Sequence, residues 1–180
     1  MKRFIPITII AIAAFLTASC GSTRSFMPTA VSTVKSVSFD ELNLVSTDYE
    51  ILNRIEAQAS IVVKIDDESY VISDPDGTFK LEWQKDKAGQ WNLEDYEGVL
   101  RAGYLANDYG NVEDMLRSPE SIVRRIAIYR LINLVKEQGG DGIIEPIIST
   151  NVEDHSDRRN NSITFQSTVS GKVIRLKSGK

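Results

Sequence analysis

The sequence predicts an α+β fold: an antiparallel twisted β-sheet with one long helix (about 119–138) packed on it, and a smaller β/α insertion. Three stretches carry that expectation. Ser118-Pro119-Glu120 opens a helix with a hydroxyl cap, a proline at the first helical position and a first-turn carboxylate. Apolar residues then run from Ile122 to Val135, Gly139-Gly140 ends them, and Ile143 to Ile148 reads as a strand. Tyr49 to Ile65 alternates over an unusually long run, as a strand with one wet face does.

Before the domain comes a leader. Lys2-Arg3 is a basic n-region, and Phe4 to Leu16 is an apolar run too short for a comfortable span, with Pro6 inside it. The run ends Leu16-Thr17-Ala18-Ser19-Cys20-Gly21, which resembles a bacterial lipobox with Thr17 where leucine is usual. The resemblance implies cleavage before Cys20 and its lipidation on sulfur and amino group. Several acyl chains on one residue anchor stably, at roughly 0.8 kcal/mol per buried methylene. Gly21, with no acidic residue in Gly21-Ser22-Thr23-Arg24, is similar to outer-membrane, periplasm-facing lipoproteins. The chain thus divides into a signal peptide (1–19), a lipidated Ser/Thr-rich tether (20–38) and a single α+β domain (39–180).

Composition narrows the function classes. The formal charge is −4 with 26% charged residues, so there is no basic footprint for nucleic acid. Cys20 is the single cysteine, so no intramolecular disulfide can form.

Within the domain, Tyr49, Ile51, Ile55, Ala57, Ala59, Ile61, Val63 and Ile65 share one face of the long strand. Ala57 and Ala59 leave room for the helix. Tyr70-Val71-Ile72 continues the sheet, Ser73-Asp74-Pro75-Asp76-Gly77 is a turn, and Phe79, Leu81 and Trp83 mark a further strand. Lys87-Ala88-Gly89 is a hairpin turn leading to Trp91 and Leu93. From Asn92 to about Ala106, Leu93, Tyr96, Val99, Leu100 and Gly103 keep a helical spacing and predict a modest helix. Asn151 to Asn161 reads as a hairpin loop. The last strand carries Ile163, Phe165 and Val169 on one face and Ile174 and Leu176 on the other, which predicts a bulge near Gly171.

The main helix is apolar on two sides. Val123, Ala127, Ile128, Leu131, Ile132, Leu134 and Val135 make a broad core face, and Ile122, Ile126 and Tyr129 a second stripe. The sheet takes the first. The Phe79 to Ala106 segment or another subunit takes the second, so Ile122, Ile126 and Tyr129 are a candidate partner surface.

Tyr49-Glu50-Ile51-Leu52 opening a long strand, and Gly139-Gly140-Asp141-Gly142-Ile143-Ile144 leading to a strand that ends Val169-Ser170-Gly171-Lys172-Val173, resemble small bacterial envelope proteins. They are similar to the YbjQ-like heavy-metal-binding domain and the Rcs-pathway sensor lipoprotein, and most of all to Bacteroidetes lipoproteins of that build. The resemblance implies a small envelope-facing α+β domain. The sensor's paired cysteines have no counterpart after Cys20, so its disulfide mechanism does not carry over.

No catalytic set emerges. His155, the only histidine, lies in a loop-like segment, and no G-x-S-x-G elbow is present. The glycines at 139, 140 and 142 follow a helix C-terminus, whose dipole repels anions, so they cap rather than cradle phosphate. Glu153, Asp154, His155 and Asp157 put oxygen and nitrogen ligand types in one loop, yet Arg158-Arg159 can neutralise them. They are weak metal candidates, and no cofactor is expected. Trp83, Trp91, Tyr96, Tyr104 and Tyr109 fill a core or stack on sugars or a protein. The expectation is a non-enzymatic lipoprotein that binds another envelope component in a sensor or assembly role. The alternative is a small-ligand or metal-binding module using the acidic loop or the Trp83/Trp91 surface.

Overall fold

Strand β2 (Tyr49–Ile65) and strand β8 (Ser162–Leu176) pair along almost their whole length and form the spine of the molecule. The computed structural model describes residues 29–33, 45–105, 118–156 and 161–177. Between and around the spine, in chain order, come β1 (Thr29–Thr33), β3 (Ser69–Ser73), β4 (Phe79–Lys85), β5 (Trp91–Gly98), β6 (Leu100–Tyr104), helix α1 (Pro119–Glu137) and β7 (Gly142–Asp154). Six strands make one antiparallel sheet in the order β5-β4-β3-β2-β8-β7, and β1 and β6 form a separate parallel pair. The fold is α+β, with its one described long helix packed on an antiparallel sheet.

Helix α1 starts and stops for local reasons. The Ser118 hydroxyl accepts the Ser121 N–H at 3.3 Å, and Pro119 occupies the first turn. At the far end Gly139 takes a φ of 66°. Its N–H donates to the Lys136 carbonyl at 3.0 Å and that of Gly140 to the Val135 carbonyl at 2.9 Å, the paired bonds of a Schellman motif. The Arg175 guanidinium donates to the Gly139 carbonyl at 3.1 Å, placing a cation on the negative end of the helix dipole.

The helix lies between two layers, against β2 and β8 on one side and β6 on the other. Ile55, Ala57, Ala59, Ile61 and Val63 alternate inward from β2, and Ile128, Leu131, Ile132 and Val135 meet the core from the helix. The β6 layer comes very close. A Cβ placed on Gly103 would stand 2.4 Å from the Tyr129 nitrogen, so only glycine fits there.

Several sequence expectations change. The stretch from Asn92 to Ala106 is strand through Tyr104, in β5 and β6, rather than helix. Leu81 pairs with Tyr96 and Trp83 with Leu93, so Glu94 is an extra, bulged residue. That bulge returns Leu93 and Tyr96, three apart, to one face and so imitates a helical period. No bulge occurs in β8 at Gly171, where a Cβ would meet the Ile143 side chain at 2.3 Å. The extra residues lie in its neighbours instead, at Leu52 of β2 and at Glu145-Pro146 of β7. Strand β7 continues to Asp154, leaving a shorter hairpin loop than residues 151–161. Strand β1 falls inside the stretch read as tether, because its backbone groups pair with β6.

Candidate binding site

Strand register assembles a cluster of rings at one end of the sheet. Tyr70 of β3 stands directly opposite Trp83 of β4, Trp83 opposite Leu93 of β5, and Lys85 opposite Trp91. Directly paired residues share a face, so these side chains rise together on the side where Leu81 and Phe79 enter the core. The Tyr70 and Trp83 rings stack with centroids 5.6 Å apart and planes 9° from parallel. Trp91 meets Tyr70 edge-on at 5.0 Å and 71°, making a wall beside that floor. Lys85 Nζ lies 5.5 Å from the centre of the Trp91 ring. Tyr70, Trp83, Gln90 and Trp91 line a cleft of about 450 Å³, within the range of small-ligand sites.

Burial divides the work among these residues. Trp83 is 6% exposed and Trp91 38%, so one indole belongs to the core and the other to the surface. The Trp83 indole N–H is buried with no hydrogen-bond partner among the described residues. Leaving such a donor unpaired costs about 1–3 kcal/mol.

The β4–β5 turn sets the position of Gln90 and Trp91. Asp86 accepts the backbone N–H groups of Ala88 and Gln90, each at 2.8 Å, and the Asn92 amide at 3.2 Å. These bonds, that from Gln90 foremost, hold the Asp86 carboxyl below its ordinary 3.8. Gly89 completes the turn with a φ of 80°, its N–H donating to the Asp86 carbonyl at 2.9 Å.

A second polar cluster is structural. The buried Asp74 carboxylate accepts the Thr78 hydroxyl and the Asp76 N–H, fixing the β3–β4 turn. Arg130 of the helix donates to the Gln58 carbonyl at 2.9 Å and to Asp76 at 3.3 Å, and lies 4.0 Å from Asp74. The guanidinium thus ties helix, β2 and turn together. Cavities of about 270 and 230 Å³ flank it, the smaller lined by Arg101, Tyr129 and Asn133.

The residues singled out in the sequence fall as follows. Ile122 and Ile126 are buried and Tyr129 is half-buried, because β6 covers that side of the helix. The second stripe is therefore core and not an exposed partner surface. In the acidic loop, Glu153 and His155 approach to 3.6 Å, while Asp154 turns back to accept the Ser156 N–H at 2.8 Å. A bond from the Ser156 hydroxyl, and after it this backbone one, lowers the Asp154 pKa. Among the described residues no three His, Cys, Asp or Glu side chains converge on a metal position. Cys20, Tyr109 and Asp157 lie outside the described residues.

The aromatic set separates: Trp83 and Trp91 meet in the cleft, whereas Tyr104 packs against Arg125, 4.2 Å from guanidinium to ring centre. Tyr70 is the site residue that sequence reasoning missed. Its inward parity beside Ile72 was the available signal. Nothing among family models, curated proteins or solved structures matches the chain.

Proposed function

We propose that the chain is a non-enzymatic lipoprotein, anchored through lipidated Cys20 in the outer membrane and facing the periplasm. Its domain binds another envelope component in the Tyr70/Trp83/Trp91 cleft, in a sensor or assembly role. The observation that supports this most is the convergence of three rings around a cleft of about 450 Å³ with a half-open Trp91. Exposed aromatics that sit beside polar groups provide large contact area at low entropic cost. Among the described residues the cleft is lined by Tyr70, Trp83, Gln90 and Trp91, a set that supports recognition. In this reading Phe79 to Tyr104 is the smaller insertion of the fold and carries much of the cleft.

The test uses full-length protein in intact envelopes with a photocrosslinking side chain at Gln90. Wild type captures one component, the same probe with Trp91→Ala loses it while circular dichroism stays unchanged, and Cys20→Ala leaves the membrane fraction. A Cys20→Ala variant that still sediments with outer membrane removes the anchor. Capture that persists in Trp91→Ala removes the cleft.

A further inference from the structure

We infer that the cleft takes a saccharide ring bearing a carboxylate, stacked on Trp91 and held at its acidic group by Lys85. This rests on the cleft being the binding site and names the class of its ligand.

The rim chemistry selects it. Trp83 is more than nine-tenths buried and lines the cleft. Lys85 is exposed, lies over Trp91 at 5.5 Å and forms no ion pair among the described residues. Gln90 adds an exposed amide that can donate or accept. Lys85 is a donor only, so the fitting ligand offers it an acceptor. A simple alkyl chain would offer Lys85 no acceptor, and a cation would be repelled by it.

The walls select ring shape. Tyr70 and Trp83 are near parallel and Trp91 stands at 71° to Tyr70, an L-shaped surface with a partly exposed indole. Sugar C–H bonds carry partial positive charge and stack on the electron-rich face of an indole. Hydroxyls around the ring then reach the Gln90 amide. A carboxylate beside the ring pairs with Lys85 in a charge-assisted bond.

The experiment titrates full-length protein in detergent micelles with methyl β-glucuronide and methyl β-glucoside, which differ only at the carboxylate. Binding is read by tryptophan fluorescence and saturation-transfer NMR. The glucuronide saturates and binds about tenfold more tightly. Lys85→Gln abolishes that preference and leaves the glucoside bound, and Trp91→Ala weakens both at least tenfold. Equal affinity for the two sugars, or affinity untouched by Trp91→Ala in folded protein, overturns the inference. So does the absence of a saturable response up to roughly 10 mM.

Two pull-downs separate the sources. Co-sedimentation with insoluble cell-wall sacculi assigns the wall glycan, and retention on immobilised soluble acidic polysaccharide assigns a free polymer. If the Gln90 crosslinker captures a protein while every sugar fails, the saccharide inference alone falls. If crosslinking and sugars both fail, the cleft reading falls with it.

Discussion

Gly103 of β6 lies directly on the backbone of Tyr129 in helix α1, so close that an added Cβ would stand 2.4 Å from the Tyr129 nitrogen and 2.7 Å from its Cα. Backbone cannot give way as a flexible side chain does. Gly103→Val should therefore destabilise the domain by about 3 kcal/mol or more, and Gly103→Ala by a sizeable part of that. Gly89→Ala is the control, because its Cβ would meet only Lys85 Cε at 4.0 Å and its cost comes from a φ of 80° alone. Urea midpoints compare them. Equal shifts for Gly103→Ala and Gly89→Ala would contradict the close approach.

Ile126 is buried beneath that same layer. Ile126→Asp places an unpaired carboxylate in the core and should cost on the order of 4 kcal/mol. Loss of any interaction in this variant should then track unfolding, measured by near-UV circular dichroism on the same samples. A variant that keeps native stability and loses only capture would show that the stripe is an interface after all.

Arg130 spans helix, β2 and the β3–β4 turn. Arg130→Met keeps the aliphatic stem but leaves the buried Asp74 carboxylate without its nearby cation, and should cost about 1–2 kcal/mol. Asp76 is the exposed partner at 3.3 Å, so Asp76→Asn alone should cost under about 1 kcal/mol. A double-mutant cycle measured at low and high salt separates the two. Strong salt dependence of the whole Arg130 effect would assign it to the surface pair.

Asp86 couples acidity to the cleft. Its folded pKa lies below the ordinary 3.8, so the carboxylate stabilises the turn fully above that value. The contribution disappears as pH falls through the lowered folded value. The amides of Ala88 and Gln90 should hold constant NMR shifts from neutral pH down to about 4 and titrate together below the ordinary carboxylate value. Trp91 should move with them. Amides that titrate at or above the ordinary value would refute the lowered pKa.

The reading of Asn92 to Ala106 as helix shows where local pattern stops being sufficient. Leu93 and Tyr96 are spaced as in a helix, and nothing within that segment reveals that Glu94 is looped out against β4. The bulge exists only in the pairing. Tyr70 shows the same limit from the other side, since its meeting with Trp83 and Trp91 depends on the registers of β3 on β4 and β4 on β5.

What the sequence by itself determined is whatever neighbouring residues decide among themselves. Helix α1 is of that kind: Ser118 caps its first turn and Gly139 adopts the left-handed φ of 66° that ends it. The alternation of β2 from Ile55 to Val63 is another, because strand geometry sends every second side chain to one face. Tertiary structure alone decided that Gly103 of β6 lies on the helix backbone at Tyr129, that Ile122 and Ile126 are buried, and that Tyr70, Trp83 and Trp91 frame one cleft. Those contacts join residues far apart in the chain. Their formation rests on register and layer order, to which a single side chain's propensity contributes almost nothing.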